Sequence, residues 1–215
     1  MRRLPRRCRA KVEWGKGVSS SIKSTNFGYD RRSPFAPMIR LFEAPLPAGA
    51  GVYPCTVEDL RERLAHFPPA DVEDLWAVGL VPSTRKDCSA HARYFYPPKP
   101  SIYVYSYAAS LRIKQPAHTT QSDVERGLAV ELAYGMDVEL HGARWYCQWQ
   151  REALRRFIVE HVLPHEVGHH VYGQRRRRAG LEHRPRTRES EQFAEAYALR
   201  QRCPSRGGNG GQCSR

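Results

Sequence analysis

The first half of the chain contains one clear helical pattern and several short apolar runs. Val57, Leu60 and Leu64 recur at the spacing of one helix face, acidic residues occupy the first turn, and two prolines follow. This spacing predicts a helix over about 56–66. Other runs are rich in Ile, Val and Tyr and show no helical period. They predict strands over 38–42, 75–81 and 101–113.

The second half has longer amphipathic patterns. Residues 121–132 allow a helix, and residues 138–149 alternate between apolar and polar types with a break at a His-Gly pair, which predicts a hairpin or an edge strand. An amphipathic helical run covers 152–172, and a second helical pattern covers about 187–202. Between them we expect a loop that contains seven arginines, over 175–188.

Composition predicts a folded, soluble protein. Apolar residues make up 40% of the chain and charged residues 27%, and no apolar stretch is long enough to span a membrane. No apolar run follows the basic N-terminus, as it would in a signal peptide, so we expect a cytoplasmic protein. The expected organisation is a basic, loosely ordered arm over 1–50, one domain over 51–202 and a disordered Gly-rich tail over 203–215.

The net charge of the chain does not by itself identify a binding partner. Lys and Arg number 35 against 22 Asp and Glu, which gives a net charge of +13 and suits a protein that works near polyanions. However, 29 of the 35 are arginine, and codon composition alone can produce such a bias. The six cysteines include no CxxC pair, which favours reduced thiols over a zinc knuckle or a disulfide framework.

One motif carries recognisable chemistry. His165, Glu166 and His169 form an HExxH sequence, and on a helix the two histidines project from one face, one turn apart. The apolar stripe of the preceding helical run continues onto both histidines, so we expect both imidazoles to point inward. Two inward histidines at this spacing are typical of half a zinc site.

The helix that carries the motif has two expected irregularities. Pro164 lies directly before His165, and inside a helix a proline removes a backbone hydrogen bond and causes a kink or a restart. Gly173 is the expected C-terminal stop. The spacing of the two histidines is preserved in either case.

A catalytic zinc needs a third protein ligand, and the best candidate lies downstream. Glu191, Ala194, Glu195 and Ala198 share one face of the helix predicted over 187–202. Small alanines would allow this helix to approach the HExxH helix closely. We expect Glu191 to reach the metal and Glu195 to accept a hydrogen bond from a ligand imidazole.

These two motifs resemble the gluzincin class of zincin metallopeptidases, and most nearly its ImmA/IrrE-like minimal domain. The pattern Glu-x-x-Ala-x-x-aromatic-Ala of that domain is met by Glu191, Ala194, Tyr197 and Ala198, whereas Glu195 stands where the family often has Asn. The resemblance covers about residues 101–200. It implies an α+β fold with a small mixed sheet, in which an edge strand over the HExxH helix receives extended substrate. Residues 138–149 would be that edge.

A rival third ligand exists. His183 follows His169 by fourteen residues, close to the spacing of SprT-like proteases, although it lies in an Arg- and Pro-flanked stretch without a helical frame. We prefer Glu191 and keep His183 as the alternative. His161, one turn before the motif, is expected to cap the site or support a ligand rather than bind metal. His170 is expected to face solvent.

The sequence thus leads to two hypotheses. The first is a zinc metalloendopeptidase that cuts an extended protein or peptide substrate, with Glu166 as the general base toward a zinc-activated water. Its oxyanion donor stays open among Tyr172, Tyr197 and His183. The alternative is a nucleic-acid-associated regulatory protein that keeps the zinc fold as a scaffold and binds through its Arg-rich arm and loop.

Overall fold

Two β-sheets and seven α-helices make up the described part of the chain. The computed structural model describes residues 39–48, 51–83, 91–96, 98–107, 111–114, 120–142, 144–182 and 187–202. The strands are β1 (Arg40–Glu43), β2 (Ala77–Val81), β3 (Ala92–Phe95), β4 (Ser101–Tyr105), β5 (Leu111–Lys114), β6 (Met136–His141) and β7 (Arg144–Trp149). The helices are α1 (Val57–Leu64), α2 (Pro69–Val72), α3 (Gln121–Gly127), α4 (Ala129–Ala133), α5 (Arg151–Phe157), α6 (Leu163–Arg178) and α7 (Arg188–Arg200).

The larger sheet is mixed and has the strand order β1-β2-β4-β3. Strands β1, β2 and β4 are parallel, and β3 pairs antiparallel with β4 at the edge. Strands β5, β7 and β6 form a separate antiparallel sheet. The expected α+β class with a small mixed sheet is therefore confirmed, as is the hairpin expected over 138–149.

The core lies between one face of the larger sheet and the helices. Val78, Leu80, Ile102 and Val104 are fully buried on this face, and they belong to one apolar cluster with residues of α1 and α6. Helix α1 begins at Thr56 with a reciprocal pair of hydrogen bonds to the third residue of its first turn, a standard helix start. Among the described residues, no helix combines the length and the apolar character needed to cross a membrane.

Several sequence predictions are corrected by the structure. The run over 101–113 is two strands in different sheets, β4 and β5, and the helix expected over 121–132 divides at Leu128, whose backbone is not helical. Strands β3 and β4 of the larger sheet lie against α6, and β3 forms the sheet edge there. Strand β1, by contrast, confirms the strand predicted over 38–42, and it pairs with β2. Most of the arm and the whole tail over 203–215 lie outside the described residues.

The helix of the HExxH motif is continuous with the preceding helix and longer than expected. Helix α5 continues through a π-helical turn, Ile158–Val162, directly into α6, where the N–H of Leu163 donates to the carbonyl of Ile158. Pro164 follows, and because it has no N–H, the wider turn accommodates it without a restart. Gly173 does not end the helix, which runs on to Arg178. The first four arginines of the predicted loop are therefore helical.

Helices α6 and α7 approach each other at a glycine. A Cβ atom added to Gly168 would lie 2.8 Å from the Cα of Ala194 and 3.1 Å from the Cβ of Tyr197. Ala194 is itself fully buried. The x-Gly-His end of the motif therefore sets the distance between the two helices.

We predict that Gly168→Ala destabilises the protein by about 1–3 kcal/mol, because the new methyl group meets backbone that cannot rotate away. The free energy of unfolding, measured by denaturant titration, checks this. The matched control is Gly127→Ala in α3, where the added Cβ meets nothing within 4 Å. Equal effects of the two substitutions would contradict the proposed close contact.

Candidate metal centre

Three potential metal ligands converge where α7 crosses the HExxH face of α6. The Nε2 atom of His165 lies 3.5 Å from one carboxylate oxygen of Glu191, and the Nε2 atom of His169 lies 3.8 Å from the other. The nearest ligand atoms of the three residues all lie within 4.8 Å of one another. Tetrahedral zinc with bonds of ~2.1 Å separates its ligand atoms by about 3.4 Å, so only small side-chain movements would close this set.

In both His165 and His169, the ring nitrogen that does not face Glu191 also has a partner. The Nδ1 atom of His169 lies 2.9 Å from the hydroxyl oxygen of the fully buried Ser190. The Nδ1 atom of His165 lies 3.4 Å from a carboxylate oxygen of Glu195. In the tautomers that donate from Nδ1, both Nε2 lone pairs face the Glu191 carboxylate, and such outer hydrogen bonds are the usual support of histidine ligands.

This arrangement calls for a cation. Two imidazole lone pairs and a carboxylate repel one another unless a proton or a metal ion lies between them. Burial disfavours a charged His165, but hydrogen bonds to Glu191 and Glu195 outweigh it and raise the pKa of this histidine to about 9. The same contact with His165 lowers the pKa of Glu195. The residues therefore fit a divalent metal bound by two nitrogens and a carboxylate.

Glu166 lies beside the edge strand of the larger sheet. One of its carboxylate oxygens accepts a hydrogen bond of 2.7 Å from the backbone N–H of Tyr94 in β3. Glu166 follows the first histidine in sequence and is only partly buried. The structure thus brings the candidate base to the place where the candidate metal ligands and the sheet edge meet.

His170 does not face solvent, contrary to the expectation from helical geometry. It is fully buried, its Nδ1 lies 3.0 Å from the hydroxyl of Tyr94, and its Nε2 lies 2.7 Å from the carbonyl oxygen of Glu73. Burial lowers the pKa of His170, so the neutral ring donates from Nε2 and accepts from Tyr94. Because Tyr94 also contacts Glu166, His170 fixes the strand that contacts the candidate base.

His161 lies in the π-helical turn, next to the candidate ligands. Its Nε2 atom is 3.6 Å from the Glu195 carboxylate that also contacts His165. Burial lowers the pKa of His161, against a smaller opposing effect of Glu195. It does not belong to the group of residues whose ligand atoms converge. Its position suits the support of Glu195 rather than the binding of metal.

A cavity of about 410 Å³ opens beside the candidate centre. His165, Glu191 and Glu195 line it together with Gln192, Ala196 and Leu199 of α7. Leu199 is 49% exposed. The convergent polar groups therefore have an accessible apolar wall on one side.

The other predicted site residues lie elsewhere. Tyr197 donates its hydroxyl to Asp71 at 2.7 Å, and the buried Tyr172 packs against the ring of Phe193. His183, the alternative ligand, lies outside the described residues. The oxyanion donor therefore stays open among Tyr172, Tyr197 and His183. Glu191 stays the preferred third ligand, with His183 as the alternative.

The arginines at the end of α6 have partners within the chain. Arg178 contacts the carboxylate of Glu73 at 2.9 Å, and Arg177 lies 3.8 Å from that of Asp74. Arg175 and Arg176 lie over aromatic rings. Each of these four arginines therefore already has a partner within the described part of the chain.

Sequence reasoning missed three contributors to the site. Ser190 directly precedes the candidate ligand Glu191, and His170 directly follows the HExxH motif. The position of each residue next to a motif could have indicated a role in the site. Tyr94 is 72 residues away from Glu166 along the chain. Nothing in the local sequence distinguishes it from other tyrosines, and only the pairing of β3 in the sheet brings it to the site.

Comparison of the chain with protein-family models, with curated protein sequences and with solved structures gives no match.

We predict that the metal-free protein loses stability as the pH rises through about 9. The pKa of His165 is raised from 6.5 to about 9 in the fold, so its protonation stabilises the folded state fully below about pH 6.5 and not above pH 9, a change on the order of 3 kcal/mol. The unfolding midpoint in a chelator, followed across this range, checks the prediction. Glu195→Gln should reduce the slope, whereas the exposed Glu189→Gln should not. A midpoint independent of pH in the wild type would contradict it.

Proposed function

We propose that this chain is a zinc-dependent metallopeptidase of the gluzincin kind. The observation that carries the proposal is the convergence of His165, His169 and Glu191, with Glu166 next to the first histidine and beside a sheet edge. This donor set, two histidines and one carboxylate, is typical of catalytic zinc that keeps one position open. When bound, the zinc would supply a Lewis acid for the scissile carbonyl and for a water molecule.

Glu166 would move the proton in this reaction. One of its oxygens accepts the Tyr94 N–H, which orients the carboxylate that would take a proton from the attacking water. The same carboxylic acid would then deliver that proton to the leaving amine. The buried contact of Tyr94 with His170 would keep this orientation during the reaction.

The edge of β3 supports an extended peptide as substrate. The backbone N–H of Tyr105 in β4 donates to the carbonyl of His91. Because the backbone groups of alternate residues in an antiparallel strand point to opposite sides, the N–H and carbonyl of Ala92 and the carbonyl of Tyr94 point away from β4, while the Tyr94 N–H is donated to Glu166. A substrate strand paired there would lie next to Glu166. The resemblance expected this role for residues 138–149; β3 is the better candidate.

The thiols of the chain suit a cytoplasmic location, which is part of the proposal. Cys55 and Cys147 are the two cysteines among the described residues, and both are buried and free. Burial raises the pKa of each thiol, of Cys55 to about 12 and of Cys147 to about 11. Neutral, buried thiols are typical of proteins in a reducing compartment.

We predict that Glu166→Gln lowers peptide-bond hydrolysis by the zinc-loaded protein by at least 10²-fold, because the amide cannot accept the proton of the water. Cleavage of casein, followed by release of soluble peptides, checks this, and zinc content measured on the same samples should be unchanged. The control Glu189→Gln changes an exposed glutamate two residues before Glu191 and should retain activity. Near wild-type cleavage by Glu166→Gln would contradict the role of the base.

A further inference from the structure

Helix α7 presents three different faces. Its buried face, which includes Ala194, packs against α6 at Gly168. A second face carries Glu191 and Glu195 to the histidines of α6. The third face is exposed and uncharged, and its members are four and three residues apart along the helix. We call it the outer face of α7, and it consists of Gln192, Ala196 and Leu199.

The outer face borders the candidate metal centre. All three of its residues line the cavity of about 410 Å³, together with His165, Glu191 and Glu195. This volume lies within the range of ligand pockets in proteins, about 300–1,000 Å³. The cavity therefore has one side made of polar groups of the candidate centre and another side made of uncharged residues of α7.

Leu199 gives the uncharged side of the cavity its apolar character. Its side chain is 49% exposed, although it is large and aliphatic. Single exposed apolar side chains are ordinary on protein surfaces. Among the large apolar side chains that are exposed in the described part of the chain, however, Leu199 is the one that lines this cavity. An apolar group that enters the cavity would remove this surface from water, which favours its binding.

The two carboxylates that line the cavity are directed to histidines. Glu191 lies 3.5 Å from Nε2 of His165 and 3.8 Å from Nε2 of His169. Glu195 lies 3.4 Å from Nδ1 of His165 and 3.6 Å from Nε2 of His161. An acidic group in the cavity would be repelled by both carboxylates. A basic group would compete with the histidines for them, so the cavity suits an uncharged side chain best.

The geometry of an added strand leads a substrate side chain toward this cavity. A peptide that pairs with the edge of β3 extends the larger sheet. Successive side chains of a strand point to opposite faces of the sheet. Every second side chain of the peptide would therefore point to the face that the helices cover, where α6 and α7 carry the candidate centre.

We propose that the cavity beside the outer face of α7 is a specificity pocket for an apolar side chain next to the scissile bond. The preferred substrates are then peptides with a residue such as leucine at the cleaved bond. This inference rests on the proposed peptidase function in taking the occupant to be a peptide substrate. Leu199 and Ala196 are the residues that would determine the specificity.

The test measures binding to the zinc-loaded full chain by calorimetry, with the hydroxamates of N-acetyl-leucine, N-acetyl-alanine, N-acetyl-aspartate and N-acetyl-lysine. In each probe the hydroxamate oxygens would occupy the open position of the zinc, so the affinities differ through the side chain. The leucine probe should bind about tenfold more tightly than the alanine probe, because its additional carbons are partly buried. The aspartate probe should bind most weakly.

Two variants and one control assign this preference to the outer face. Leu199→Lys removes the apolar wall and should bring the ratio of leucine to alanine affinity close to one. Ala196→Phe fills the cavity from an exposed position and should weaken the leucine probe more than the alanine probe. Leu181→Lys changes a leucine that is 52% exposed after α6 and does not line the cavity, so it should keep the wild-type ratio. Zinc content should be the same in all four proteins.

Cleavage of casein, with the cut bonds identified by mass spectrometry, gives a second readout. Apolar residues should be enriched on one side of the bonds cut by the wild type, and Leu199→Lys should reduce this enrichment.

The outcomes separate this inference from the proposed function. Equal affinity of the leucine and aspartate probes, tighter binding of the lysine probe, or a wild-type ratio in both folded variants would overturn the specificity pocket, even if casein is cleaved. A leucine preference without any hydrolysis would contradict the peptidase and not the pocket. A folded wild type that binds no zinc would overturn both. The wild-type probe series decides the question if a variant fails to fold.

Discussion

The contact of α6 with α7 at Gly168 and Ala194 is the constraint on which the candidate centre depends. With no side chain at Gly168, the backbone of α7 lies so close that even a methyl group would collide with it. Only at this distance can the carboxylate of Glu191 come within 3.5 to 3.8 Å of both imidazoles. Repulsion among three unprotonated acceptors then favours either a proton, as the raised pKa of His165 indicates, or a metal ion.

The second support of the site comes through the sheet. Tyr94 donates its backbone N–H to Glu166 and contacts His170 through its hydroxyl, while His170 is held by the carbonyl of Glu73. The edge strand, the HExxH helix and the segment after α2 are thereby joined by buried and partly buried polar contacts. Breaking one of them singly is costly where it leaves a buried group unsatisfied. This joins the proposed base to the proposed substrate edge.

Local patterns predicted the parts of the site that depend on helical spacing. His165, His169 and Glu191 were identified because residues four apart share a helix face, and the alanine face of α7 indicated close packing. The same logic failed for His170, since spacing gives a direction but not what lies in that direction. Strand pairing was harder to predict from local patterns. Residues 101–113 have the composition of a single strand, although they form two. The sheet edge that meets α6 is determined by contacts between residues distant in sequence.

We propose that this chain holds one metal ion through His165, His169 and Glu191. Elemental analysis of the purified wild type beside Glu191→Ala and His183→Ala tests this proposal. We expect one zinc per chain in the wild type and in His183→Ala, with loss or strong weakening in Glu191→Ala only. Metal lost in His183→Ala and retained in Glu191→Ala, or none in a folded wild type supplied with zinc, would contradict it.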